Sequence, residues 1–150
     1  MIEWEEEKVI EQNIDRVWSL FSDANIRKIM PQVVKHELIE KAEQDVGAKH
    51  MQTVKEGRRT ETYLVETLAY ENLPDKKYKQ IFFVLGKAFE IDLCFTLLKI
   101  DEGRTHFIYA GCSQGRNFLG RAMTKMMSNR RNLKTVKEFL DRVDQEAMKL

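Results

Sequence analysis

The chain has 150 residues, 43% of them hydrophobic, and a formal net charge of +1. A chain of this length buries about 70% of its unfolded surface, so it needs neither a metal nor a disulfide to fold. The near-zero net charge argues against a globally basic nucleic-acid binder, though not against a local basic patch. Cys94 and Cys112 form no CxxC pair and have no histidine at zinc spacing, so both read as free thiols. The acidic start, Met1-Ile2-Glu3-Trp4-Glu5-Glu6-Glu7, lacks the basic-then-apolar layout of a signal peptide. The longest hydrophobic run, Ile81-Phe82-Phe83-Val84-Leu85, is far too short for a membrane span. A cytoplasmic protein is expected.

Ile2, Trp4, Val9 and Ile10 among charges predict a first strand over 2–11. Asn13 can cap a helix running to Ser22, with Ile14, Val17, Trp18 and Phe21 on one face. Asp23 reads as the cap of a second short helix, Asn25 to Met30, closed by Pro31. From Val33 the pattern changes to period two, with strands near 33–42, 48–56, 59–71, 77–86, 88–100 and 104–114. Gly, Pro, Asn and Asp clusters mark the connections, as hairpins require. The clearest strand alternates Phe89, Ile91, Leu93, Phe95 and Leu97 with polar neighbours. A three-residue loop, Asp101-Glu102-Gly103, with Gly103 at positive φ, would set Phe95 opposite Tyr109 and Leu97 opposite Phe107. A two-residue loop would pair Phe95 with Ala110 and split the aromatic face. Gly111 to Gly115 reads as a bend leading into the last element. From Asn117 to Ala147, Leu119, Ala122, Met126, Leu133, Leu140, Val143 and Ala147 recur at helical spacing. Such a helix must pack on something, because isolated helices are marginal in water.

The expected fold class is therefore α+β: a curved antiparallel sheet of about seven strands around a long C-terminal helix, with two short helices after the first strand. Three stretches carry a resemblance. They are Asp15-Arg16-Val17-Trp18-Ser19-Leu20-Phe21-Ser22-Asp23, then Ile29-Met30-Pro31, then Val46-Gly47-Ala48. Together with the element order they resemble the START-like, or SRPBCC, superfamily, whose helix-grip fold includes polyketide cyclases and pollen-allergen-type carriers. The resemblance covers residues 1–150 as one domain. It implies a cavity for an apolar molecule between sheet and helix, and no particular chemistry, since fold does not fix function.

On that reading the ligand-lining residues are Phe95, Leu97, Phe107 and Tyr109 on the sheet, with Phe118, Met123, Met126 and Met127 at the start of the long helix. Flexible thioethers suit varied ligands, but they also fill irregular cores. Arg116, Arg121, Lys125, Arg130, Arg131, Lys134 and Lys137 come before any acid, and Glu138, Asp141, Asp144 and Glu146 follow. This order opposes the helix dipole. Either an anionic partner explains it, or a solvated face paired with the acidic first strand. Arg131 and Lys134 follow Met123 and Met127 along one flank and are the anion-binding candidates.

His36 and His50 lie on adjacent strands and could share a face. With no carboxylate at motif spacing they make a poor metal site, so neither a metal nor a cofactor is expected. No GxSxG, HExxH, P-loop or GxGxxG occurs. If the chain is an enzyme, Tyr63, Tyr109 and Glu66 are the candidate buried polar groups. The first reading is binding or transport of a hydrophobic small molecule such as a lipid, quinone or polyketide, in one version anionic. The alternatives are a cyclase or dehydratase in the same cavity, or an interaction module using the basic helix face. A homodimer stays open, and nucleic acid is disfavoured.

Overall fold

The computed structural model describes residues 1–41, 45–86, 88–117, 121 and 129–150. Seven strands form one antiparallel sheet: β1 (Ile2–Ile10), β2 (Val33–Glu40), β3 (Lys49–Glu56), β4 (Arg59–Asn72), β5 (Lys76–Leu85), β6 (Phe89–Asp101) and β7 (Arg104–Gly115). Their spatial order is β1-β7-β6-β5-β4-β3-β2. Two short helices, α1 (Ile14–Ser19) and α2 (Ile26–Ile29), follow β1, and α3 (Asn129–Ala147) closes the chain. Every sheet connection after β2 is a hairpin, which is why sequential strands are neighbours.

Asn13 caps α1 as its sequence position suggests, its Oδ1 accepting from the Asp15 N–H at 2.9 Å. Asp23 does not cap α2. Asn25 holds that position without a side-chain cap bond, and Asp23 turns toward the sheet instead. The helix expected to reach Ser22 stops at Ser19, its backbone continuing in turns.

Phe95 pairs with Tyr109 and Leu97 with Phe107, the register expected, but by a different route. Asp101 pairs with Arg104, so the loop has only two residues, and an extra residue, Ile100, bulges from β6 between Lys99 and Asp101. Gly103 is not among the glycines at positive φ. The bulge supplies the one-residue offset that the longer loop would have supplied, and keeps the aromatic face whole.

That face is the floor of the core. Phe95 and Tyr109 stack with centroids 5.5 Å apart and planes 3° apart, while Phe21 lies 5.1 Å from Phe95 and Phe139 lies 4.7 Å from Tyr109. Leu97 and Phe107 are wholly buried. α3 lays Val136, Phe139, Leu140, Val143 and Ala147 on this floor. Of the expected stripe, Leu140, Val143 and Ala147 are buried and Leu133 is half-buried; Leu119, Ala122 and Met126 lie outside the described residues. The acidic end of α3 meets β1 through its one lysine. Lys8 Nζ reaches Asp141 at 2.7 Å and Asp144 at 3.1 Å, the reverse of an acidic strand balancing a basic helix. Such exposed pairs contribute about 1 kcal/mol at most.

Residues 111–115 are strand, not a bend. Gly111 is required for a different reason: a Cβ there would sit 2.5 Å from the Trp4 ring and 2.7 Å from the Asp92 carbonyl oxygen. Cys94 and Cys112 are unbridged, and burial pushes both thiols up.

Leu140→Ala should lower stability by about 2–5 kcal/mol in denaturant melts, because it leaves a cavity between α3 and the aromatic floor. A loss near zero would mean that α3 does not clamp the sheet.

Candidate functional site

Beyond the packed floor, a cavity of about 360 Å³ lies between α1 with its following turn and the inner face of β2 to β5. Its walls are apolar at Trp18, Phe21, Tyr70 and Ala48, and polar at Asp23, His50 and Lys79. A smaller void of about 30 Å³ continues inward past His50, Thr67 and Lys79 to His36, Gln52 and Phe95. A larger cleft of about 560 Å³ opens near Tyr63, Phe83 and Arg116, beyond the last β4–β5 pair, Glu66 and Phe82. It is more open, and Glu61, Glu66 and Arg116 are its charged lining.

Local geometry explains how each side chain reaches the cavity. Trp18 and Phe21 are one helical turn apart, with ring centroids at 5.8 Å. Tyr70 should point outward by simple alternation, since Tyr63, Val65 and Thr67 face inward. A bulge between Thr67 and Ala69 adds one residue, pairs Tyr70 with inward-facing Lys79, and brings its ring 5.8 Å from Trp18. At the rim, Asp45 (φ 64°) and Gly47 (φ 87°) make a turn whose Gly47 N–H donates to the Thr67 carbonyl at 2.8 Å. Positive φ is easy for glycine and tolerable for aspartate.

Asp23 receives both histidines. His36 Nε2 lies 3.0 Å from its Oδ1, and His50 Nε2 lies 3.1 Å from its Oδ2. Burial pushes the Asp23 carboxyl up, but hydrogen bonds from His50 and His36 prevail and hold it below the usual carboxylate value. Gln52, the cross-strand partner of His36, places its Oε1 2.8 Å from His36 Nδ1 and donates to the Tyr63 hydroxyl at 2.8 Å.

Two lysines of β5 face inward with opposite fates. Lys77 is 5% exposed and satisfied, 2.6 Å from Asn72 Oδ1 and 3.1 Å from Asp15 Oδ1. Lys79 lines the cavity, and among the described residues no carboxylate lies within ion-pair distance of it. Burial pushes its ammonium below the ordinary lysine value, against the pull of Asp23 and Asp45. A half-buried cation without a close partner costs stability.

Of the residues expected to line a ligand site, Phe95 reaches the inner void, while Leu97, Phe107 and Tyr109 sit in the packed floor beneath it. Burial pushes the Tyr109 and Tyr63 phenols up. Tyr63 stacks on Phe83 at 4.6 Å. Glu66 alternates with buried Val65 and Thr67 and so takes the other face of the sheet. Arg131 and Lys134 are exposed on α3 away from the cavity lining, Lys134 at 4.0 Å from Glu138. Phe118, Met123, Met126 and Met127 lie outside the described residues. Asp23, Trp18, Tyr70 and Lys79 were absent from the expected set. Lys79 had a signal, its inward phase with Ile81 and Phe83; Tyr70 had none, because the bulge hides its side.

No family model matches the sequence, and no curated protein does. Solved structures match over almost the whole chain. A START superfamily protein from Mycobacterium smegmatis has TM-score 0.77 at 8% identity, covering 99% of both chains. The ZhuI aromatase/cyclase from Streptomyces sp. R1128 has TM-score 0.72 at 15% identity, covering 97% of this chain and 93% of its own. Norcoclaurine synthase from Thalictrum flavum, solved with dopamine and hydroxybenzaldehyde, has TM-score 0.65 at 11% identity, covering 98% and 86%. At these identities the likeness establishes the helix-grip architecture. No described helix is long and apolar enough to cross a membrane.

Lys79→Met should raise stability at neutral pH by about 0.5–2 kcal/mol, the usual gain on relieving a functional compromise. The folded value of Lys79 lies below its unfolded value of 10.5, so the burial penalty is full below the folded value and fades as pH rises toward the unfolded one. The advantage of the variant should shrink over that alkaline window in urea melts. A variant less stable than the parent at neutral pH would contradict this account.

Proposed function

We propose that this START-like, helix-grip chain binds a ring-sized, mostly apolar molecule carrying one anionic or carbonyl oxygen. The molecule sits against Trp18 and Tyr70, with its polar end at Lys79. The observation that carries this reading is an aromatic-walled cavity of about 360 Å³ that ends at an inward lysine lacking a close carboxylate among the described residues. Ligand sites span about 300–1,000 Å³, with apolar walls and a few convergent polar groups. This cavity is at the small end of that range, which suits a single ring or short chain better than a long lipid tail. Flat aromatic walls favour a ring by stacking. Norcoclaurine synthase, on the same architecture, was solved with two small aromatic compounds, which supports the size class. In this reading Lys79, and not Arg131 with Lys134, meets the charged end.

Calorimetric titration with benzoate and phenylacetate, against benzyl alcohol as the neutral counterpart, tests the proposal. Lys79→Met should weaken the acids roughly tenfold to a hundredfold, the loss of a charge-assisted hydrogen bond of about 1.5–3 kcal/mol, and leave the alcohol little changed. Ser22→Trp, which adds bulk at the cavity wall, should weaken all three. Equal loss for acid and alcohol on Lys79→Met would remove the lysine from recognition, and no binding of any of them would defeat the reading.

The same lysine favours a second, enzymatic reading. An amine whose pKa is lowered by burial is more often neutral, and so can act as a base or as a nucleophile toward a carbonyl. Incubation with benzaldehyde and borohydride should then fix a benzyl group on Lys79 ahead of the other lysines, as read by peptide mass spectrometry. Labelling spread over surface lysines would count against catalysis.

A further inference from the structure

Asp23, His36 and His50 come from three separate elements and direct one donor atom each into the same small volume. The three atoms all lie within 4.8 Å of one another. The two imidazole rings stack, with centroids 4.6 Å apart and planes 19° apart, so that both Nε2 atoms reach the one carboxylate. Asp23 is half exposed, whereas the His36 and His50 side chains are 10% and 7% exposed. The site thus has a rigid buried side and an accessible one.

Gln52 fixes the polarity of the cluster. Its amide nitrogen donates to the Tyr63 hydroxyl, and its Oε1 lies 2.8 Å from His36 Nδ1, an arrangement that suits an Nδ1–H donor. His36 Nε2 faces an Asp23 oxygen at 3.0 Å, a contact that a hydrogen closes without metal and that a metal ion can close in its place. One metal ion held by the two rings and the carboxylate would engage all three donor atoms at once. Bonds of about 2.0–2.1 Å in a tetrahedral shell separate donor atoms by about 3.3 Å; each histidine stands 3.0 or 3.1 Å from a carboxylate oxygen, and the three donor atoms fall within 4.8 Å of one another.

We propose that Asp23, His36 and His50 form a binding site for a divalent first-row transition-metal ion such as zinc or iron(II). The Nδ1–H of His36 is anchored by Gln52, the kind of outer contact that orients metal-bound histidines. Two nitrogens and one oxygen exclude calcium and magnesium, which take oxygen shells, and match the two-histidine, one-carboxylate sets that leave positions open. Asp23 and His50 also line the 360 Å³ cavity, which leaves room for water or a ligand oxygen to complete the shell.

The test uses the tag-free full chain, stripped with chelator and titrated with zinc in a calorimeter and with cobalt(II) in a spectrophotometer, without any organic ligand. It is therefore independent of the small-molecule reading. One equivalent should bind, and cobalt should give the visible absorption of a low-coordinate site. Asp23→Asn and His36→Asn should each weaken binding by more than about tenfold, and Gln52→Leu by about 10–100-fold. Zinc should raise the melting temperature of the parent but not of Asp23→Asn. The Asp23 substitution is at a half-exposed turn, so folding of that variant, checked by circular dichroism, keeps the test decisive. No saturable binding would overturn the site and leave a proton as the cation in the cluster. So would binding that survives both ligand substitutions, since it would come from an adventitious ion only.

Discussion

Helix α3 cannot stand alone in water, and the aromatic floor of the sheet cannot face it; each covers the other. Val136, Phe139, Leu140, Val143 and Ala147 lie on Phe95, Leu97, Phe107 and Tyr109, and Phe21 closes the layer from α1. The apolar area involved outweighs the tenths of a kcal/mol lost by carrying acids at the wrong end of the helix dipole. Everything else is arranged around this contact. Once it is made, α1 is held across the sheet by Phe21 on Phe95 and by Asp15 on Lys77. The space left between α1 and the outer strands is the cavity.

Two single-residue bulges then decide which side chains matter. Ile100 on β6 keeps Phe95 opposite Tyr109 and so preserves the floor. The bulge at Leu68 on β4 switches the alternation and turns Tyr70 inward, beside Lys79 and Trp18. Each shifts one strand by one residue, and each changes the face of every side chain beyond it. The floor and the lining of the proposed binding cavity are thus both set by the same small backbone irregularity, used twice.

These facts explain what could be read from the chain and what could not. The element order, the strand limits, the Phe95–Tyr109 register and the helix-grip architecture were legible, because alternation and turn residues are local signals. The cause of the register was not, since a two-residue loop with a bulge and a three-residue loop give the same pairing. The site was mostly hidden. Asp23 looks like a helix cap because aspartate before a helix usually is one; only the fold shows it beneath two histidines from β2 and β3. Tyr70 is concealed by a bulge with no sequence mark. Leu97 and Phe107, expected to line a ligand site, are wholly buried, because large apolar groups serve a floor as readily as a pocket.

Lys77 and Lys79 put the central point in one strand. Both face inward; Lys77 is ion-paired to Asp15 and hydrogen-bonded to Asn72, while Lys79 lines the cavity with no carboxylate at ion-pair distance among the described residues. The most direct measurement of whether that cavity is a binding site is a two-dimensional amide NMR titration with phenylacetate. The account expects shifts concentrated on Trp18, Ala48, Thr67, Tyr70 and Lys79, saturating together. Shifts centred on Arg131 and Lys134 with those five unmoved, or no saturable shift at all, would contradict it.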